Sequence, residues 1–130
     1  MLYNRYFVSI VLTFSIVLAI LQVISGLISA SELSNDPGKY AESRRDALKS
    51  LASIACSVGL SRTGDEERVV TERSLQQLYD AFIAAMNDYT IDSRGDVGAW
   101  VREASMTGLE TLSRFVVETI WMFANGNSRR

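Results

Sequence analysis

Charged side chains of both signs recur through residues 88–103, where acids and arginines alternate. Asp92, Arg94 and Asp96 stand two positions apart, and Arg102 follows. Such groups can form ion pairs with each other or with a partner, but the run has no phosphate-binding loop and no recognisable pair of catalytic carboxylates. The chain also has no histidine, the commonest general base and zinc ligand. We therefore predict recognition rather than catalysis, with no catalytic residue, metal site or cofactor.

Composition excludes two further classes of site. The net charge of -2 comes with scattered basic residues, so no electrostatic footprint for nucleic acid is visible. The single cysteine, Cys56, lies in an apolar stretch and is predicted to be a small buried residue rather than a nucleophile.

Apolar spacing places the charged run between two helices. Apolar or small residues recur every three or four positions on both sides of it, which is typical of one buried helix face. The two stripes comprise Leu75, Leu78, Phe82 and Met86 before the run, and Val97, Val101, Ala104, Gly108, Leu112 and Phe115 within and after it. Residues 88–95 are therefore the turn. Gly95 suits unusual backbone angles, Ser93 or Asp96 can cap the second helix, and Gly108 permits another helix to approach closely.

This corner suggests different roles for its residues. A polar turn on a rigid corner is accessible, so Asp92, Ser93, Arg94 and Asp96 are predicted to contact a partner. Trp100 extends the apolar stripe and is predicted to anchor the core.

A helical-wheel argument bears on the second arginine of the run. Six residues advance about 600° on a helix, so Asp96 and Arg102 are predicted to lie on different faces and not to pair. Arg102 would then reach an acid in an adjacent unit.

A second segment repeats the same local pattern. Arg45-Asp46-Ala47 parallels Arg102-Glu103-Ala104 at an offset of 57 residues, and an apolar stripe follows each. Helical solenoid repeats of about 40–47 residues match this offset once a polar insertion at residues 60–68 is allowed for. Both segments are predicted to be the second helix of a stacked pair.

The whole chain is predicted to be all-α, a short HEAT- or armadillo-like solenoid segment of about four helices. The helices are expected at residues 6–31, 39–59, 71–87 and 96–122, with Pro37 helping to start the second. Residues 1–31 form a hydrophobic helix, residues 32–124 the helical repeat region, and residues 125–130 a frayed tail.

The first helix leaves three alternatives open. No charged residue occurs between Arg5 and Glu32, and about 20 such residues suffice to span a bilayer. Residues 7–29 can thus be a membrane anchor, the apolar part of a signal peptide with small residues at 29–31, or a buried solenoid helix.

From about Leu18 to Val117 the chain resembles the C-terminal region of the tubulin-folding cofactor D family, also called tubulin-specific chaperone D. The resemblance is carried by residues 40–49 (YAESRRDALK), residues 88–104 (DYTIDSRGDVGAWVREA) and residues 21–27 (LQVISGL). It implies a HEAT or armadillo stack, in which Arg102 and Arg45, with Asp46, Trp100 and Val101, have structural roles between repeats.

The resemblance also implies a function. The family binds β-tubulin after the cytosolic chaperonin, assembles the α/β-tubulin dimer with other tubulin-folding cofactors, and stimulates GTP hydrolysis by tubulin without a catalytic site of its own. The expected location is the cytoplasm and the microtubule cytoskeleton. Because family members are several times longer, the chain is expected to be a fragment. The alternative is a small single-pass membrane protein with a helical cytosolic interaction domain.

Overall fold

The computed structural model describes residues 2–33, 40–59 and 70–126. These contain four helices, α1 (Leu2–Ser31), α2 (Ala41–Val58), α3 (Glu72–Ala85) and α4 (Gly98–Gly126). Between α3 and α4, a two-residue strand β1 (Ile91–Asp92) pairs antiparallel with β2 (Gly95–Asp96). The prediction of an all-α chain with four helices is confirmed. Its assignment to the HEAT or armadillo class stays a prediction.

The observed boundaries differ from the predicted ones at several ends. Helix α1 begins at Leu2 rather than residue 6, because no proline or glycine stands there to stop it. Helix α4 continues to Gly126, so the first two residues of the predicted tail are helical. The hairpin was not predicted, since two-residue strands are too short to show alternation. Pro37, the polar insertion at residues 60–68 and tail residues 127–130 lie outside the described residues.

The core lies where the apolar stripes of the four helices meet. On α3, Leu78 and Phe82 are fully buried, and the helix starts at Thr71, whose hydroxyl accepts a hydrogen bond of 3.2 Å from the Ser74 amide. The other helices bury residues of the same kind: Ile24 from α1, Leu48, Leu51 and Ala55 from α2, and Val101, Ala104 and Leu112 from α4.

The close contact of α3 with α4 confirms the prediction for Gly108. The ring of Phe82 occupies the space that a Cβ atom on Gly108 would need, and the Ser105 hydroxyl donates a hydrogen bond to the Phe82 carbonyl. Further along, the Tyr79 and Ser113 hydroxyls are 3.0 Å apart. Since residue numbers fall on one helix as they rise on the other, α3 and α4 form an antiparallel hairpin.

Helices α2 and α4 lie side by side in the same direction. At one end Glu42 forms an ion pair with Arg94, just before α4, and at the other Cys56 lines a pocket with Phe115 and Glu118. Helix α1 packs against α2. The prediction that α2 and α4 are the second helices of two stacked repeat pairs stays a prediction.

Helix α1 has two unlike halves. Residues 20–31 pack on the rest of the bundle, with Ile24 buried and Ile20, Leu27 and Ile28 partly buried. Residues 5–18 project beyond it, and their large apolar side chains are almost all exposed. Among the described residues, one segment has the length and composition to cross a membrane, Arg5–Ser31, which includes an 18-residue stretch with a mean hydropathy of 2.7.

Candidate functional site

The corner between α3 and α4 is held to α2 by a buried ion pair. Arg44 of α2 donates from Nε and Nη2 to Oδ2 of Asp88, at 2.8 and 2.7 Å. Both side chains are at most 2% exposed. A buried charge must be paired and hydrogen-bonded to be tolerated, so each residue depends on the other.

The remaining oxygen atoms of Asp88 order the turn itself. Its Oδ1 accepts hydrogen bonds from the Thr90 amide at 3.1 Å and from the Thr90 hydroxyl at 2.5 Å. The Asp88 carbonyl accepts a bond of 2.6 Å from Arg102, and Gly98 donates to the Thr90 carbonyl at 2.9 Å. A Cβ atom on Gly98 would overlap this backbone, so only glycine fits there. The corner is therefore fixed before any partner arrives.

At the hairpin tip, Arg94 joins two acids. It donates to Oδ2 of Asp92 from Nε at 3.0 Å and from Nη2 at 2.6 Å, and it forms an ion pair with Glu42 of α2. Its guanidinium carbon lies 5.3 Å from the centroid of the Trp100 ring, within range of a cation–π contact. Gly95 completes the tip with a φ of 106°, a conformation that favours glycine. Arg94 thus links the hairpin to both α2 and α4.

The prediction that Asp96 and Arg102 do not pair is wrong. Arg102 Nη2 donates to Asp96 Oδ2 at 2.7 Å. The helical-wheel argument failed because Asp96 belongs to strand β2 and precedes the first residue of α4, so its direction is not set by helical periodicity. The predicted capping role of Asp96 is confirmed, since its Oδ1 accepts a bond of 3.0 Å from the Ala99 amide.

These ion pairs lower the pKa values of the carboxylates. Hydrogen bonds from Arg94 lower the pKa of Asp92, and that from Arg102 lowers the pKa of Asp96. The pKa of Glu42 is lowered first by its own backbone amide and then by Arg94. The same contacts raise the pKa values of Arg94 and Arg102. All three acids therefore remain charged at neutral pH.

Stability should consequently depend on pH in the acid range. A carboxylate with a lowered folded-state pKa stabilises the fold fully above its ordinary value, here 3.8 for Asp92 and Asp96 and 4.5 for Glu42, and loses that contribution as the pH falls through the lower folded value. We expect the urea midpoint to be flat near neutral pH and to fall below about pH 4. Replacing Asp92 and Asp96 together by asparagine should make this fall shallower. An unchanged slope would contradict the assignment.

Two exposed side chains on the corner were missed by the sequence prediction. Tyr89 is 71% exposed, and Ile91 on β1 is 76% exposed. The Arg102 guanidinium carbon stands 4.7 Å from the Tyr89 ring centroid, so a charge and an aromatic face are presented together. Such residues are typical of binding hot spots. The sequence does contain a sign of them. An apolar residue and an aromatic residue lie inside a polar turn, where neither belongs to the apolar stripe of a helix.

The structure brings together the four residues predicted to contact a partner. Asp92, Ser93, Arg94 and Asp96 all lie on the hairpin, and Ser93 is exposed at its turn. The charges of the other three form ion pairs within the protein, so a partner would meet them as a preformed array. Their binding role stays a prediction.

The residues predicted to act between repeats lie in different surroundings. Val101 is fully buried, and Trp100 is partly buried against the core. Arg45 donates to its neighbour Asp46 at 2.8 Å, and both are partly or largely exposed. The buried arginine on α2 is instead Arg44. The sequence does contain a sign that Arg44 is buried. It lies three residues after Ala41 and three and four residues before Ala47 and Leu48, on the same face of the helix as these buried residues. The inter-repeat roles of the named residues stay predictions.

In residues 2–33, 40–59 and 70–126, no group of three or more acids, cysteines or histidines is placed to hold a metal ion. Cys56 is half-buried, and burial raises the pKa of its thiol, which disfavours the nucleophilic thiolate. What the corner can offer is a rigid surface of apolar, aromatic and charged groups.

Comparison with known proteins finds a relative that is similar to part of this chain. A tubulin-specific chaperone D from Dictyostelium discoideum is 31% identical to this chain over 98 residues. This chain is similar to part of that protein. The match covers 67% of this chain and only 7% of the relative, so the chain spans a small part of the relative's length. No protein-family model matches the chain, and no solved structure matches it significantly.

Proposed function

We propose that this chain is a fragment of a protein of the tubulin-folding cofactor D kind and contributes a contact with β-tubulin. The similarity to tubulin-specific chaperone D carries the proposal. The preformed corner supports it, because a surface that is already ordered loses little entropy when it binds. In the intact protein, this contact would assist assembly of the α/β-tubulin dimer with other tubulin-folding cofactors in the cytoplasm, at the microtubule cytoskeleton.

The contact surface in this proposal consists of Tyr89, Ile91 and Arg94. The exposed side chains of Tyr89 and Ile91 would bury apolar surface on binding, and the Arg94 guanidinium would orient the partner through directional polar contacts. The chain is not an enzyme in this proposal. It would support stimulation of the GTPase activity of tubulin by positioning groups on tubulin, which carries the nucleotide and the reacting water.

Binding to purified tubulin tests the proposal. We expect the full chain to retain tubulin on an affinity resin, and replacement of Ile91 by aspartate to weaken binding by about tenfold or more, as expected for a hot spot. Ile83→Asp is the matched control, because Ile83 is an exposed isoleucine on α3 that is not part of the proposed contact surface. Both variants should keep the wild-type unfolding temperature.

A chimera supplies the second arm of this test. The matching stretch of the Dictyostelium chaperone would be replaced by this chain, with and without Ile91→Asp, and co-purification of β-tubulin measured. Failure of both the chain and the unmutated chimera to retain tubulin would contradict the proposal. Equal loss in the Ile83 and Ile91 variants would contradict the choice of surface.

The alternative, a single membrane span in helix α1, places a different demand on the same residues. Residues 5–18 project from the bundle, and 14 helical residues extend only about 21 Å, against about 30 Å for the hydrocarbon core. A span of about 30 Å needs about six further residues, as far as Ile24, which is only 3% exposed in the bundle. The alternative therefore requires residues up to Ile24 to leave their contacts with the bundle.

A further inference from the structure

We infer that the chain forms a two-fold dimer in which the α1 helices of two copies pair antiparallel, each laying its projecting half into a groove of the other. The inference goes beyond the proposed function and does not depend on it. It joins two features that the bundle leaves unpartnered, the exposed half of α1 and an open cleft between α1 and α3.

The cleft has the dimensions and lining of a helix-binding groove. It encloses about 570 Å³ and is lined by residues between Leu21 and Leu33, at the end of α1 and just after it, and between Ser74 and Asp88, along α3 and just after it. The helical residues 74–85 on its α3 side extend about 18 Å. Its α3 side is formed partly by Ala81, Ala84 and Ala85, whose small side chains allow a further helix to approach closely. The groove is thus open, largely apolar and about three to four turns long.

The projecting half of α1 matches this groove in length and chemistry. Residues 5–18 extend about 21 Å, close to the length of the groove. They carry nine large apolar side chains that are 45–68% exposed, and the first residue of this half is Arg5. The groove lining includes no lysine or arginine, and its exposed acids are Glu32 and Asp80, whereas the charge of the buried Asp88 is paired with Arg44. Arg5 therefore complements the groove in charge.

A heptad pattern defines how the two helices would meet. Positions with alternating spacings of four and three run along one face of α1 as far as Glu32, just after the helix, and six of the eight are apolar, as in a coiled-coil seam. The seam positions are Phe7, Val11, Phe14, Leu18, Leu21, Ser25, Ile28 and Glu32. Its last four residues also line the groove. The seam is therefore continuous from the projecting half into the groove.

Antiparallel pairing about the centre of this seam makes both contacts at once. Leu18 then faces Leu21 of the second copy, and the bulky Phe14 faces the small Ser25. At the ends, Phe7 faces Glu32, which brings Arg5 within reach of the Glu32 carboxylate. A two-fold axis repeats every contact, so the interface is closed and does not propagate into fibres.

The buried area distinguishes this reciprocal dimer from a one-way contact. Nine side chains with roughly 100 Å² exposed each present about 900 Å² in total, of which one face of the helix buries about half. A one-way contact would bury about 450 Å² per copy, too little for a stable interface. The reciprocal arrangement doubles this to about 900 Å², near the standard of about 800 Å² per partner.

Charge reversal at the helix ends tests the pairing. Sedimentation equilibrium of the full chain in detergent-free buffer should show a monomer–dimer equilibrium. We expect Arg5→Glu and Glu32→Arg each to raise the dimer Kd by about tenfold or more, since each places like charges together twice. The double variant should restore the wild-type Kd to within about threefold, because both pairs are re-formed with reversed sign.

Two variants on α3 distinguish docking in the groove from nonspecific hydrophobic association. Ala84→Glu introduces a charge into the groove and should also raise the Kd by about tenfold or more. Ile83→Glu alters the neighbouring exposed residue outside the groove and should leave the Kd unchanged. A monomer at every concentration, a double charge variant no better than the single ones, or equal effects of the two α3 variants would each overturn the inference. Monomers that float with phosphatidylcholine vesicles would assign the projecting half to lipid instead.

Discussion

Replacing Asp88 by asparagine is expected to lower the free energy of unfolding by about 3–5 kcal/mol, the cost of leaving one partner of a buried ion pair uncompensated. Arg44 is only 1% exposed and donates two hydrogen bonds to the Asp88 carboxylate. Asparagine keeps the shape and can still accept from Thr90, so the loss reports mainly the missing charge. Urea unfolding followed by circular dichroism measures it.

A matched exposed pair provides the control. Glu110 and Arg114 form a surface ion pair on α4 with both side chains about two-thirds exposed. Exposed pairs contribute roughly 0–1 kcal/mol, so Glu110→Gln should change stability little. Adding Arg44→Met to Asp88→Asn should recover part of the loss, because no buried charge then remains. A change in Asp88→Asn as small as that in Glu110→Gln would contradict this account of the corner.

Truncating Phe82 to alanine is expected to cost a similar amount, about 3–5 kcal/mol. Its ring is fully buried between α3 and α4 and fills the space above Gly108. Truncation removes buried apolar area and leaves a cavity at the contact that holds this hairpin together. The free energy of unfolding in urea again provides the measurement.

The coupling between Phe82 and Gly108 makes this prediction specific. Alanine at Gly108 gains about 1 kcal/mol in helix propensity but overlaps the ring, at a cost of about 1–3 kcal/mol. We therefore expect Gly108→Ala to destabilise the wild type and to stabilise the Phe82→Ala variant. At Gly26, where a Cβ atom would meet nothing, the same change should stabilise the protein by about 0.5–1 kcal/mol. If the effects of Phe82→Ala and Gly108→Ala on the free energy of unfolding are strictly additive, the predicted coupling between these two residues is contradicted.

The first of these predictions concerns a residue pair, Arg44 and Asp88, whose pairing no sequence pattern identifies. Arg44 stands beside Arg45, and both belong to the same charged segment of α2. The two arginines differ in burial, because the side chain of Arg44 points to the corner, whereas that of Arg45 pairs with its neighbour Asp46. Which of two adjacent arginines is buried depends on the rotation of α2 against the corner, and that rotation is a property of the packed helices.

The groove between α1 and α3 illustrates the same limit. The sequence predicted an apolar first helix, and the structure shows that residues 20–31 are used inside the bundle while residues 5–18 remain exposed. Hydropathy could not divide the helix, because both halves are equally apolar. The division arises because α2 is only 18 residues long and α1 is 30.

The sequence alone determined the elements whose causes are local. Apolar periodicity predicted the four helices, and a capping acid before α4 and a glycine at position 108 predicted a helix start and a close approach. Tertiary structure decided which charges meet: Arg44 with Asp88 across 44 residues, Arg94 with Glu42 across 52, and Arg102 with Asp96 across a strand–helix boundary. Periodicity orders side chains only within one helix, whereas an ion pair requires the positions of two elements that the chain folds together.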